Sequence, residues 1–256
     1  MNANVRFRLG GLAFDRLSFA DAVAATLALA RTGGSAYVVT PNTDHIVRAE
    51  TDASFVAICA GADLVLADGM PVVWASRCLG DALPGRVAGS DLMPALCAAA
   101  AAENLSIFLL GGLPGEAELA VANLHAVYPA LLVAGTYSPP FGFETDLAEC
   151  RRIVAHINAA APAFVFVGVG SPKQEKWIAA WRHELRCGVL LGIGISIAFL
   201  AGTVRRAPQL MQKTGTEWLY RLVQEPRRLA LRYARGLTIA RIVWRERRRR
   251  RAAGFR

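Results

Sequence analysis

Four short clusters in this chain join side chains that do chemistry to residues that turn a backbone sharply. They are Thr40-Pro41-Asn42-Thr43-Asp44-His45, Asp68-Gly69-Met70-Pro71, Gly111-Gly112-Leu113-Pro114-Gly115 and Gly168-Val169-Gly170-Ser171-Pro172-Lys173-Gln174-Glu175, and each follows a short apolar run. In a parallel α/β sheet ligands bind beyond the carboxyl ends of the strands, so these are the places to expect a substrate. Asp68 is the best general-base candidate. It follows a short apolar strand, and partial burial there would raise its pKa toward a useful value. The competing reading is an ordinary Asp-Gly turn. Asp44 and His45 are rivals at a helix start, where Asp44 could simply serve the helix end. The third and fourth clusters are glycine turns entering helices, where exposed N–H groups favour phosphate. Gly111, Gly112, Gly168 and Gly170, with Ser171 and Lys173, are therefore candidate phosphate-binding positions, although glycine serves tight turns generally. Neither turn reads G-x-x-x-x-G-K-[ST] or G-x-G-x-x-G. No Asp-x-Asp pair occurs, Glu50-Thr51-Asp52 and Glu144-Thr145-Asp146 follow no clear strand, and no two of the four His lie at metal-ligand spacing. A metal-bridged nucleotide site is not indicated.

The elements that must position these clusters follow a βαβα rhythm. Strands are expected at Ser35–Thr40, Leu64–Ala67, Ser106–Leu110, Leu131–Gly135, Ala163–Val169 and Gly188–Ile193. Helical spacing covers Asp44–Ala62, Ser90–Asn104 (capped by Ser90 or Asp91), Glu116–Val127, Leu147–Asn158 and Gln174–Leu185. The strands are apolar rather than alternating, so the expected fold is α/β, a Rossmann-like, mostly parallel sheet with helices on both faces. The uncharged stretch 187–204 is short for a membrane span and is interrupted by four glycines. It reads better as a buried strand, a glycine turn and a short buried helix.

Charge divides the 256 residues in two. Residues 205–256 hold 15 Arg, one Lys and three acids, a balance of +13, whereas residues 1–204 carry −4. The expected organisation is a 1–204 core and a 205–256 basic, amphipathic appendage. In the appendage Thr216–Val223 can form a helix, and Pro226 suits the first turn of another. There Arg228, Arg232 and Arg235 share one face, and Leu229, Tyr233, Leu237, Ala240 and Trp244 another, a pattern suited to lying on an anionic membrane surface. The alternative is an amphipathic helix packed on the body. Arg247–Arg251 read as a generic electrostatic anchor of individually dispensable residues. The five scattered Cys and an N-terminus with no apolar signal core point to a reduced, cytosolic setting. With 54% apolar residues, a large core is expected.

At its most specific segments the chain resembles the WecG/TagA/CpsF glycosyltransferases. These are Val165-Phe166-Val167-Gly168-Val169-Gly170-Ser171-Pro172-Lys173-Gln174-Glu175-Lys176-Trp177-Ile178, Phe199–Pro208 and Glu217–Leu229, with Ala67–Pro71 and Arg86–Asp91 in support. The resemblance runs from about Ser35 to about Tyr233. It implies an inverting enzyme that moves a sugar from a UDP-sugar to a polyprenyl-diphosphate-linked saccharide in cell-surface polysaccharide synthesis. It also implies a peripheral position at the cytoplasmic membrane face, no cofactor and no metal. On that resemblance Asp68 matches the catalytic base, Thr40 and Asn42 match polar residues near sugar and acceptor, and Gln174 matches the glutamine of P-x-Q-E. Arg221, Arg228 and Arg232 fall where appendage arginines meet diphosphate, with Arg227 as a neighbouring alternative. One position departs: an aspartate common in the family is Ala198 here, with Ser196 as a substitute polar group. The first motif's wording also differs, so N-acetylmannosamine and glucose both stay open as the donor sugar. A homo-oligomer stays open too.

The alternative from another class is a nucleotide- or nucleic-acid-binding module with a basic tail. Single-strand recognition wants aromatics interleaved in a basic groove. Trp218, Tyr220, Tyr233 and Trp244 lie instead among apolar helix positions, so nucleic acid is not the expected partner.

Overall fold

The computed structural model describes residues 6–208, 210–211, 216–224 and 238–252. A short antiparallel hairpin, β1 (Phe7–Leu9) and β2 (Leu12–Phe14), leads into α1 (Phe19–Thr32). The main sheet comprises β3 (Ala36–Val39), β4 (Leu64–Val65), β5 (Ser106–Gly111), β6 (Leu132–Tyr137), β7 (Phe164–Gly168) and β8 (Val189–Gly192). Their order is β4-β3-β8-β7-β5-β6, every pair parallel. This is the α/β architecture expected from the sequence.

The apolar runs explain the layering. In a strand, successive side chains point to opposite faces. Val165 and Val167 therefore join a core with the hairpin's Phe7 and Phe14 and with Trp177 and Ile178. Phe164 and Phe166 join the opposite core with Leu92, Leu96 and Leu124. A strand buried on both faces can afford no alternation, which is why the parallel sheet was legible. The first core is covered by α3 (Ala53–Ala60), α7 (Leu147–Ala160) and α8 (Lys173–Trp181), the second by α1, α5 (Gly89–Ala102), α6 (Glu116–Val127) and α9 (Ser196–Ala201).

Several boundaries differ from expectation. The helix expected over Asp44–Ala62 is two, α2 (Thr43–Ala49) and α3, because the Asp52 carboxylate caps a new start by accepting from the Phe55 N–H at 2.9 Å. Helix α5 begins at Gly89, and neither Ser90 nor Asp91 caps it; Asp91 is drawn into ion pairs instead. The hairpin, α1 and α4 (Met70–Cys78) had no counterpart in the sequence reading. Residues 187–204 do form strand, glycine turn and short helix, and no helix among the described residues is long and apolar enough to cross a membrane.

In the appendage, Glu217–Gln224 is helical as expected, and Thr238–Ala252 forms a terminal helix. That helix packs on the body. Ile242 is 1% exposed in the first core, Arg245 makes a two-pronged contact with Glu50 at 2.5 and 2.7 Å, and Arg250 donates to the Leu79 carbonyl and pairs with Asp81. The arginine run is therefore not uniform: Arg250 is anchored to the body, while Arg247, Arg248 and Arg251 face solvent. Arg228 and Arg232 lie outside the described residues, as does the Arg221 side chain.

Candidate active site

All four predicted clusters emerge at one edge of the sheet. The chain leaves β5 outward to β6 and leaves the adjacent β7 inward to β8, which makes a topological switch between the β5 and β7 ends. Gly111 and Gly168 pair across it. Gly111 has φ +123°, and a Cβ there would sit 2.5 Å from the Gly168 carbonyl oxygen, so only glycine lets the two turns approach.

The two turns differ in what they offer. In the Gly111–Gly115 turn, the Gly112 N–H donates to the Gly168 carbonyl at 3.3 Å and the Leu113 N–H to the Glu116 carboxylate at 2.8 Å. Glu116 is itself buried and accepts from the Thr203 hydroxyl at 2.5 Å. The Gly112 donor that the sequence suggested for phosphate is thus occupied, as is its neighbour on Leu113, and a carboxylate fills the turn. The Gly168–Gln174 turn is the more open: Gly170 has φ +85° and Ser171 is exposed. Lys173 bends away to pair with Glu144 and lies 4.4 Å over the Phe141 ring.

On the β4–β3 side the backbone sets the geometry. The Leu66 N–H donates to the Val39 carbonyl at 2.9 Å and the Asp68 N–H to the Pro41 carbonyl at 3.0 Å, which draws the two strand ends together. Gly69, at φ +114°, then turns the chain into α4 with Pro71 in the first turn. Asp68 is left half-buried at the sheet edge. Withdrawal from water pushes its carboxyl up to about 6; Arg86 and His45 pull it down, and Glu217 and Asp91 push it up. No hydrogen bond among the described residues stabilises its ionised form. A carboxylate near neutral pKa without a fixed partner is what a general base requires.

Thr40 lies between β3, β8 and α5, its hydroxyl 3.4 Å from the Gly192 carbonyl. Asn42 caps α2: its Oδ1 accepts from the Asp44 N–H at 3.0 Å and lies 2.8 Å from His45 Nδ1. Gln174 is 4% exposed and turned inward. Its Nε2 donates to Glu175 at 2.8 Å, and its Oε1 accepts from the Gly194 N–H at 3.0 Å. Its amide therefore braces α8 against the β8 turn. Burial alone would raise Glu175, yet His45 and Gln174 hold its carboxyl below the usual range.

One group of charges beside Asp68 was not assigned from sequence. Asp91 bridges Arg86 and Arg206, each at 2.5 Å, and Glu217 lies 3.3 Å from Arg86 and 3.9 Å from Arg206. Arg206 also donates to the Ser90 carbonyl at 3.4 Å. The cluster ties Arg206 and Glu217 to the core beside Asp68. The Arg86–Asp91 motif held the local half of this signal; the partners 206 and 217 lie too far along the chain to be read. At the departing position, Ala198 is buried, and the Ser196 hydroxyl spends its proton on the Ile193 carbonyl at 2.6 Å.

Comparison with known proteins finds relatives over most of the chain. The model of the "Glycosyl transferase WecG/TagA/CpsF family" matches residues 7–253. A Staphylococcus aureus (strain MW2) protein named N-acetylglucosaminyldiphosphoundecaprenol N-acetyl-beta-D-mannosaminyltransferase is 32% identical over 193 residues, covering 75% of this chain and 74% of its own. Its counterpart in S. aureus strain NCTC 8325 / PS 47 matches to the same extent. A family match across nearly the whole chain, with a relative 32% identical over three quarters of it, means that the chain belongs to the WecG/TagA/CpsF family of glycosyltransferases.

Proposed function

We propose that this glycosyltransferase moves a hexose or N-acetylhexosamine from a UDP-sugar to a polyprenyl-diphosphate-linked saccharide, with inversion, in cell-surface polysaccharide synthesis. The observation that carries the mechanism is Asp68, a carboxylate raised to about 6 at the sheet's ligand edge, with no hydrogen bond to its side chain among the described residues. Asp68 takes the proton from an acceptor hydroxyl as that oxygen bonds to C1 of the donor sugar. The C1–O bond to the diphosphate breaks on the opposite face through an oxocarbenium-like state, and UDP leaves with the electron pair. Developing charge on the diphosphate is met by backbone N–H groups of the Gly168–Gln174 turn and by arginines of the cluster and appendage, with no metal in the step. Thr40 and Asn42 contact sugar or acceptor, and Arg221, Arg228 and Arg232 complete the diphosphate site. The relatives' names favour N-acetylmannosamine as donor sugar and a GlcNAc-diphospholipid as acceptor.

Peripheral association with an anionic membrane at its cytoplasmic face follows from the same reading. The terminal helix exposes Trp244 with Arg248 stacked 4.8 Å over its ring, beside the solvent-facing Arg247 and Arg251. The decisive assay offers UDP-N-acetylmannosamine, UDP-GlcNAc and UDP-glucose with a lipid-linked acceptor and scores UDP release. Acceptor-dependent release from one donor supports the reading; none from any would remove it. Co-sedimentation with anionic vesicles, against a nucleic-acid gel shift at two salt concentrations, tests the membrane partner: binding to nucleic acid alone would reverse the assignment.

A further inference from the structure

His45 has no part in the mechanism above, yet it is buried between a site residue and a buried acid. Its side chain is 8% exposed and that of Glu175 4%. The ring packs 5.6 Å from Phe55, one nitrogen faces Asn42, and the other faces Glu175 at 3.4 Å. Glu175 in turn accepts from Gln174, whose amide oxygen holds Gly194. One chain of polar groups therefore runs from the β3 end, through α2 and α8, to the β8 turn.

Hydrogen-bond bookkeeping assigns the protons. A backbone N–H can only donate, so the Asn42 atom facing the Asp44 N–H is the oxygen. The same oxygen lies 2.8 Å from His45 Nδ1, which must therefore carry a hydrogen. The Asn42 backbone N–H also points at Nδ1, at 3.2 Å, as in a capping box, so two contacts compete for that nitrogen; the shorter one, 2.8 Å to the side-chain oxygen, assigns it the hydrogen. The Nε2 edge meets the Glu175 carboxylate, an acceptor, so it is a donor too. Both lone-pair directions of the Asn42 oxygen are then occupied from inside the protein. The amide NH2 is the end left over, and no acceptor for it occurs among the described residues.

We infer that His45 is a positioning residue for sugar transfer: its Nδ1 proton fixes the Asn42 amide oxygen inward and so presents the Asn42 NH2 as a donor to the substrate, while Glu175 holds the ring from behind. This rests on the reading that Asn42 contacts sugar or acceptor. Without the Nδ1 proton the Asp44 N–H alone would hold that oxygen, and the NH2 would be less firmly aimed at the oxygens it should receive.

Two conservative variants separate this role from simple structural support. Asparagine can place its NH2 where Nδ1 lies, and glutamine where Nε2 lies. His45→Asn, His45→Gln and Asn42→Ala are compared for kcat and KM toward the UDP-sugar and the lipid-linked acceptor, with thermal melts of each. The expected result is kcat/KM within about threefold of wild type for His45→Asn and roughly tenfold lower for His45→Gln, the size of one lost oriented hydrogen bond. The loss should fall on the same substrate that Asn42→Ala affects. Adding Asn42→Ala to His45→Gln should cause no further loss, because the asparagine is what the histidine acts through. Equal activity of the two histidine variants, or retention in His45→Gln with loss in His45→Asn, overturns the inference and leaves Asn42 in the site. Wild-type kinetics for Asn42→Ala overturn the underlying placement of Asn42 itself.

Discussion

Replacing Asp68 by Asn should make the protein more stable and the enzyme nearly inactive, and the two effects have one cause. The carboxyl sits where its ionised form is poorly solvated, so its pKa rises from 3.8 to about 6. That difference is a penalty of about 3 kcal/mol on the charged form. Because the folded-state value is raised, the penalty is absent below the unfolded value near 4. It grows as pH rises toward about 6 and stays constant above. A neutral isostere escapes it. Asp68→Asn should therefore melt roughly 6–12 °C higher than wild type at pH 8, given about 2–4 °C per kcal/mol for a chain of this size. The gain should shrink to under about 1 kcal/mol near pH 4. Loss of the base should cut UDP release by about 10²–10⁴-fold. Melts at pH 4 and 8 with turnover at pH 8 test both halves. A stability gain equal at both pH values, or no gain at pH 8, would refute the desolvation argument. Near-wild-type turnover would remove Asp68 from proton transfer.

The charges around the base predict two opposite shifts in the acid limb of the pH–rate profile. Glu217→Gln removes a group that raises the Asp68 pKa, so the limb should move to lower pH; Arg86→Gln removes one that lowers it, so the limb should move to higher pH. Gly111→Ala should cost at least about 3 kcal/mol in denaturant unfolding, since its Cβ would strike the Gly168 backbone at positive φ; a tolerated alanine would mean that the two turns can separate. Ile242→Ala should cost about 2–4 kcal/mol and speed proteolytic removal of the terminal helix; unchanged cleavage would show that Arg245 and Arg250 hold the helix without it.

What the chain announced by itself was the layering and the sheet edge at which the candidate clusters gather. Runs such as Phe164–Val167 are apolar at every position, and only a strand covered on both faces needs that. Asp68 and the glycine turns were legible because each follows its strand directly, and strand ends collect on one edge of a parallel sheet. What the tertiary structure alone decided was how those groups are engaged. Gln174 and Glu116 read from sequence only as the first residues of helices that follow glycine turns, yet both are turned inward onto Gly194 and onto Leu113 and Thr203. The arginine run looked uniform until packing of Ile242 placed Arg245 and Arg250 against Glu50 and Asp81. Glu217 meets Arg86 across 131 positions, and His45 meets Glu175 across 130. Local patterning depends on residues a few positions apart, so it can be read from order alone. A carboxylate's pKa and an amide's orientation depend on which distant side chains the fold brings within a few ångströms, and only the folded chain fixes that.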